Sequence, residues 1–91
     1  MTANELVIAA RLATHYEDQR VLKDGQDALE VAAHDLLEFK RKAPKLWRRL
    51  HDSTLSDRKI GDWLYEFFVR HAKSGATLKN FAADELERSG V

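Results

Sequence analysis

The strongest helical signal in the chain is SDRKIGDWLYEFFVRHAKSG, residues 56–75. Its apolar positions recur at the three- and four-residue spacing that places side chains on one face of an α-helix. Those positions are Ile60, Trp63, Leu64, Phe67, Phe68 and His71. Each aromatic ring could bury about 150–250 Å², so we predict that the rest of the chain packs around this helix. Ser56 is a favourable N-cap and Gly75 a favourable residue to close the helix.

Two helices are predicted before this segment. Thr2 and Glu5 have the spacing of a capping box, which predicts a first helix running to about Arg20. Its inward face is predicted to contain Leu6, Ala9, Ala10, Ala13 and Tyr16, widened by Ile8 and Leu12. A second helix is predicted at about residues 25–42, capped by Asp24 together with Asp27. Its inward face is predicted to contain Leu29, Ala32, Ala33, Leu36 and Lys40, flanked by Leu37 and Phe39.

Pro44 separates the second helix from a short third one. The residue before a proline is disfavoured in a helix, whereas proline itself suits a first helical turn. We therefore predict a helix at 44–51 with Leu46, Trp47 and Leu50 facing inward. Thr77 can cap a last helix at roughly 78–88, whose inward residues would be Leu78, Phe81, Ala82 and Leu86. The prediction is an all-α protein, a compact bundle of four to five short helices in a single domain, residues 1–91.

Composition narrows the classes of function. The chain has 15 basic and 15 acidic residues, so we expect no whole-molecule attraction to nucleic acid or membranes. It has no cysteine, which excludes disulfides and fits a reducing compartment. No apolar run approaches the roughly 20 residues of a membrane span, and the N-terminus lacks a signal-peptide pattern. We expect a soluble cytoplasmic protein that does not bind a membrane.

Basic residues concentrate in one segment, which we call the basic corner. Residues 40–59 contain eight basic residues against Asp52 and Asp57. The candidate binding residues are Lys40, Arg41, Lys42, Lys45, Trp47, Arg48, Arg49, Arg58 and Lys59. Such cations could neutralise phosphates while Trp47 stacks on a base. Equally, cations late in a helix complement its dipole while the tryptophan belongs to the core.

Acidic residues dominate the preceding segment. Residues 17–38 hold seven acids against Arg20 and Lys23. A polarised chain of this kind fits head-to-tail self-association or a single protein partner with a polarised surface. It also fits a solvated surface of mixed charge. A homodimer would enlarge the small core that a chain of this length can build.

Catalytic and metal-binding patterns are weak. Glu30, His34 and Glu38 share one face of the second helix, but di-metal bundles use Glu-x-x-His on two helices, and this spacing occurs once with an extra residue. His71 falls on an apolar stripe and is interpreted as the end of the core helix. No serine lies in a nucleophile-elbow pattern. We therefore predict no enzyme activity, no metal and no cofactor.

The remaining hypothesis is a small helical interaction module, a regulator or accessory subunit that binds a protein partner. Val7, Tyr65 and Val69 lie off the main apolar stripes and could form an exposed contact patch. The alternative is a nucleic-acid-binding protein that uses the basic corner. The two hypotheses differ in whether binding depends steeply on salt.

Overall fold

The computed structural model describes residues 1–71, which form four helices. They are α1 (Ala3–Asp18), α2 (Ala28–Lys42), α3 (Pro44–His51) and α4 (Asp57–His71). No strand occurs within these residues, and the all-α prediction is confirmed. The predicted Gly75 C-cap and the helix at 78–88 lie outside the described residues, as does the side chain of His71.

The predicted capping box starts α1. The Glu5 amide donates to Thr2 Oγ1 at 3.2 Å, and the Thr2 backbone amide donates to the Glu5 carboxylate. The helix ends slightly before the predicted Arg20, because that residue adopts the left-handed conformation with φ of 54°. Its amide donates to the Glu17 carbonyl and the Val21 amide to the Tyr16 carbonyl. These two bonds are the Schellman pattern that closes a helix.

The start of α2 corrects the sequence prediction. The helix begins at Ala28 instead of residue 25, since Gly25 has a positive φ of 83° that no helix continues through. Asp27 is the N-cap, and its carboxylate accepts from the Glu30 amide at 3.1 Å. Asp24 therefore does not cap this helix.

The remaining boundaries agree with prediction. Ala43 is fully buried and serves both as the C-cap of α2 and as the residue that precedes α3, so the two helices meet at a sharp corner. Pro44 occupies the first turn of α3, as predicted. At the start of α4, the Lys59 amide donates to Ser56 Oγ at 3.3 Å, which confirms Ser56 as the cap.

Within residues 1–71, α1 packs against both α2 and α4, and α2 packs against both α1 and α3. Phe39 of α2 also contacts Phe67 and Phe68 of α4, so the aromatic face of α4 belongs to the shared core. Small residues permit the packing of α1: Ala9 is fully buried, and a Cβ on Gly61 of α4 would lie only 2.7 Å from Arg11 Cβ. Contacts of Glu5 with Lys40 and of Tyr16 with Asp35 show that α1 and α2 run antiparallel.

The core differs from the predicted faces of α1 and α2. Leu6 is 49% exposed, Leu29 45% and Leu37 50%. Glu5 and Asp35 are buried in their place. The buried faces differ from the predicted ones because α1 and α2 each pack against two other helices. The buried apolar residues on the four helices are Ile8, Ala9, Leu12, Ala13, Tyr16, Ala32, Leu36, Phe39, Leu46, Leu50, Ile60, Leu64, Phe67 and Phe68.

Candidate functional site

The residues of the basic corner lie on the end of α2, on α3 and on the first turn of α4. Because α2 and α3 share Ala43, the structure brings together the predicted residues on these two helices. Arg58 and Lys59 lie on the exposed first turn of α4, after the link at 52–56. Lys45, Arg48 and Arg49 are also exposed.

Three of the predicted basic side chains are engaged by carboxylates. Lys40 Nζ lies 2.7 Å from Glu5 Oε2, and this hydrogen bond is the main reason that the pKa of Glu5 is lowered. Arg41 and Lys42 lie 3.0 and 3.6 Å from Glu38 Oε2. The Arg41 hydrogen bond is the main cause of the lowered pKa of Glu38. These pairs reduce the positive charge that the end of α2 presents to a ligand.

Trp47 is half-buried. Leu46 and Leu50 of α3 are buried as predicted, whereas the indole packs only partly against the core. Lys40 Nζ lies 5.5 Å from the centroid of the Trp47 ring, within cation–π distance. The ring centroid also lies 6.1 Å from that of the His51 ring, and the exposed part of the indole could contact a ligand.

A groove opens between α1 and the first turn of α2, on a surface that the sequence analysis assigned partly to the core. Its volume is about 470 Å³. It is lined by Ala10, Ala13, Glu17, Leu22, Gln26, Asp27, Ala28 and Leu29. We call it the α1–α2 groove. Its lining combines small apolar residues with two carboxylates.

Exposed leucines continue the apolar surface along both helices. Leu6 lies one turn before Ala10 on the same side of α1, and Leu37 lies two turns after Leu29 on the same side of α2. All three leucines are close to half exposed. Three leucines predicted to lie in the core are therefore exposed on the two helices that border the groove.

The acidic end of the molecule contrasts with the basic corner. Within residues 1–71, none of the acids Glu17, Asp18, Asp24, Asp27 and Glu30 forms an ion pair. All five are exposed. Charge at this end is therefore available to a cationic partner.

A second polar cluster, which the sequence did not predict, joins α1 to α4. Asp62 Oδ1 accepts from Arg11 Nε at 2.6 Å and lies 2.5 Å from His15 Nε2. The Arg11 hydrogen bond is the main cause of the lowered pKa of Asp62. The Tyr65 ring stacks on His15 at 4.8 Å, so this residue is not a free contact residue as hypothesised. The four-residue spacing of Arg11 and His15 was the only sequence signal for this cluster.

The weak metal hypothesis gains no support from the geometry. Glu38 is engaged by Arg41 and Lys42, and His34 Nδ1 lies 3.6 Å from Asp35 Oδ1. In the part of the chain that the structure describes, no three potential ligands are grouped as a metal site would require. Val7 and Val69 of the hypothesised contact patch are exposed, as expected.

Comparisons with known proteins give no relative. A scan against protein-family models, a search of curated proteins and a search of solved structures each return no match. None of the four helices in residues 1–71 combines the length and the apolar character needed to cross a bilayer.

Proposed function

We propose that this domain is a non-enzymatic interaction module that binds a protein partner through the α1–α2 groove. The observation that carries the proposal is the exposure of Leu6, Leu29 and Leu37 on the two helices that border a groove lined partly by alanines. Contiguous apolar surface with a polar rim is typical of protein-binding sites. The proposal retains the cytoplasmic location that the cysteine-free composition predicts.

Energetics favour this surface over the end of α2. A ligand that uses Lys40 must compete with Glu5, which is itself almost buried. Removing one partner from such a pair leaves a poorly solvated charge. By contrast, a complementary surface that buries Leu29 and Leu37 would stabilise the complex by about 25 cal/mol per Å² of apolar area.

Affinity capture with matched variants tests the proposed function. The bait is the full chain, applied to lysate of the source cell with and without nuclease. The groove variant is Leu29→Ser with Leu37→Ser, and the control variant is Val7→Ser with Val69→Ser. Each removes two exposed aliphatic side chains. We expect a discrete protein that survives nuclease, is retained by the control and falls about tenfold with the groove variant. Absence of such a protein, or equal retention by both variants, would contradict the proposal.

Nucleic-acid binding is the second candidate, and one observation favours it. Lys45, Arg48 and Arg49 are exposed on α3, and Trp47 of the same helix is half-buried. This arrangement could neutralise phosphates and stack one base. Arg48→Glu with Arg49→Glu should then abolish a steeply salt-dependent binding of single-stranded oligonucleotides. Arg20→Glu with Lys23→Glu, at the opposite end of the molecule, should not. Binding that ignores salt, or that survives the first double change, would remove this candidate.

A further inference from the structure

We propose that the occupant of the α1–α2 groove is a basic amphipathic helix of a partner protein, an inference that rests on the proposed function. The groove and the unpaired acids beside it form one continuous surface, because Glu17 and Asp27 line the groove itself. The shape of the groove therefore determines which apolar side chains the occupant needs, and the acidic residues determine the charge of its polar side. Helix-in-groove binding combines the same two features.

The lining of the groove calls for large side chains on the occupant. Ala10, Ala13 and Ala28 contribute only methyl groups to it, and Leu22 and Leu29 add larger apolar side chains. From Leu6 to Glu17 the surface of α1 extends about 16 Å, at 1.5 Å per residue. This length matches about three turns of helix, enough for apolar anchors at i, i+3 or i+4, and i+7.

Charge selects a cationic occupant. The five exposed acids at this end form no ion pair within residues 1–71, and Arg20 and Lys23 are the nearby cations in the connecting segment. The groove thus has an excess of negative charge, which would attract lysine and arginine and repel an acidic helix. Glu17 is also in the last turn of α1, where the negative end of the helix dipole adds to the same potential.

Among residues 1–71, a second copy of this chain offers a poorer occupant. Its basic helix α3 would supply the charge, but Leu46 and Leu50 of that helix are buried in its own core. The exposed side of α3 is therefore mostly Lys45, Arg48 and Arg49, with only part of Trp47. Such a surface lacks a row of exposed apolar side chains that could enter the α1–α2 groove. A partner protein with its own exposed apolar row fits better.

Two synthetic peptides test this inference with the purified full chain. Both are fluorescein-labelled model helices of about 15 residues, with leucines at i, i+3, i+4 and i+7. The polar positions are all lysine in one peptide and all glutamate in the other. Fluorescence anisotropy measures binding at about 50 mM and about 300 mM salt. We expect the lysine peptide to bind about tenfold more tightly or better than the glutamate peptide, with a preference that shrinks at high salt.

Matched variants locate the binding. Ala10→Trp fills the groove, while Val69→Trp places the same ring on an exposed position of α4. Glu17→Lys reverses a charge in the groove, while Glu66→Lys reverses an exposed charge on α4. We expect about a tenfold loss of lysine-peptide affinity for each groove variant and little change for each control. Circular dichroism confirms that every variant remains helical.

Amide chemical-shift mapping on the unaltered protein provides a readout that does not depend on a variant folding. Shifts centred on Ala10, Ala13 and Leu29 with the lysine peptide support the inference. Shifts centred elsewhere, equal binding of the two peptides, or equal losses in groove and control variants overturn it. Concentration-dependent shifts at the same amides without peptide would identify a second copy as the occupant and also overturn it.

The two proposals fail in different ways. If neither peptide binds but capture from lysate still depends on Leu29 and Leu37, the basic helix is wrong and the interaction module stands. If capture also fails, the proposed function itself is wrong.

Discussion

Tyr16 and Asp35 form a buried polar contact between α1 and α2. Each residue is only 1% exposed, and the Tyr16 hydroxyl donates to Asp35 Oδ2 at 2.6 Å. Burial and the neighbouring carboxylate raise the pKa of the Tyr16 hydroxyl well above its ordinary value, so it remains a donor. A buried carboxylate needs such donors, because its desolvation is costly unless hydrogen bonds compensate.

Tyr16→Phe should destabilise the protein by about 1–3 kcal/mol, since it removes a donor from a buried carboxylate without changing the ring. Denaturant unfolding followed by circular dichroism measures the change. Tyr65→Phe is the matched control, because that ring is only partly buried and stacks on His15. We expect its effect to stay within about 0.5 kcal/mol. Equal effects of the two changes would show that the Tyr16 hydroxyl does not stabilise the fold.

Arg20 closes α1 in the left-handed conformation, with φ of 54°. A side chain there costs about 1–2 kcal/mol relative to glycine, which is the usual residue at this position of a Schellman motif. Replacing Arg20 with glycine would remove this cost, but the larger entropy of glycine in the unfolded chain offsets part of the gain in stability. Arg20→Gly should therefore raise stability by about 0.5–1 kcal/mol in denaturant unfolding. Lys23→Gly, where φ is not positive, should give no gain, and a gain there would contradict the explanation.

At the scale of elements, Gly61 determines how closely α1 and α4 cross. A Cβ at this position would lie 2.7 Å from Arg11 Cβ and 3.0 Å from the Ile8 carbonyl oxygen. Because the Ile8 carbonyl belongs to the backbone of α1, an added Cβ would fit only if one of the two helices moved. The same crossing places Arg11 and His15 beside Asp62.

Gly61→Ala tests the crossing, because helix propensity and packing predict opposite signs. Propensity alone favours alanine by about 1 kcal/mol. Overpacking costs about 1–3 kcal/mol, and loss of the Asp62 contacts adds to it. We expect a net loss of stability of about 1–2 kcal/mol in thermal and denaturant unfolding. Glu66→Ala, on the exposed side of α4, provides the control. A stability gain in Gly61→Ala would mean that the helices are farther apart.

At the scale of the whole molecule, two carboxylates tie α1 to its neighbours. Glu5 of α1 pairs with Lys40 of α2, and Asp62 of α4 pairs with Arg11 of α1. Hydrogen bonds from these cations are the main reason that both carboxyl pKa values are lowered in the folded protein. A lowered folded pKa contributes stability above the unfolded value of about 4, and this contribution is lost as pH falls through the folded pKa.

Acid should therefore destabilise the protein as pH falls below about 4. The double variant Glu5→Gln with Asp62→Asn should be less stable near neutral pH, and its free energy of unfolding should fall less as the pH is lowered. Because Asp62 is partly exposed and screened, we expect the combined contribution to be about 1 kcal/mol. Denaturant unfolding at a series of pH values measures it, with the exposed Glu66→Gln as control. If the free energy of unfolding of the double variant fell with pH as steeply as that of the unaltered protein, these pairs would not couple folding to pH.

The surface polarity of the intact molecule could be anticipated only in part. The charge segregation between residues 17–38 and 40–59 is visible in the order of residues. Which charges remain available is not, because Lys40 is neutralised by a carboxylate 35 residues away. The α1–α2 groove was also missed, since Ala10 and Leu29 were predicted to face inward. The site proposed for a partner thus rests on residues that periodicity assigned to the core.

The sequence by itself determined the helices and several of their ends. The Thr2–Glu5 box, the Ser56 cap and the Pro44 start all join residues within one turn, so local chemistry is sufficient to form them. The buried faces of α3 and α4 also followed from periodicity, whereas only the tertiary structure decided where the buried faces of α1 and α2 are centred and which helices each of them contacts. The physical reason is that these outcomes depend on partners far along the chain, such as Arg11 and Asp62, 51 residues apart. Periodicity marks an apolar side of a helix, but the helices that cover it determine where that side is centred.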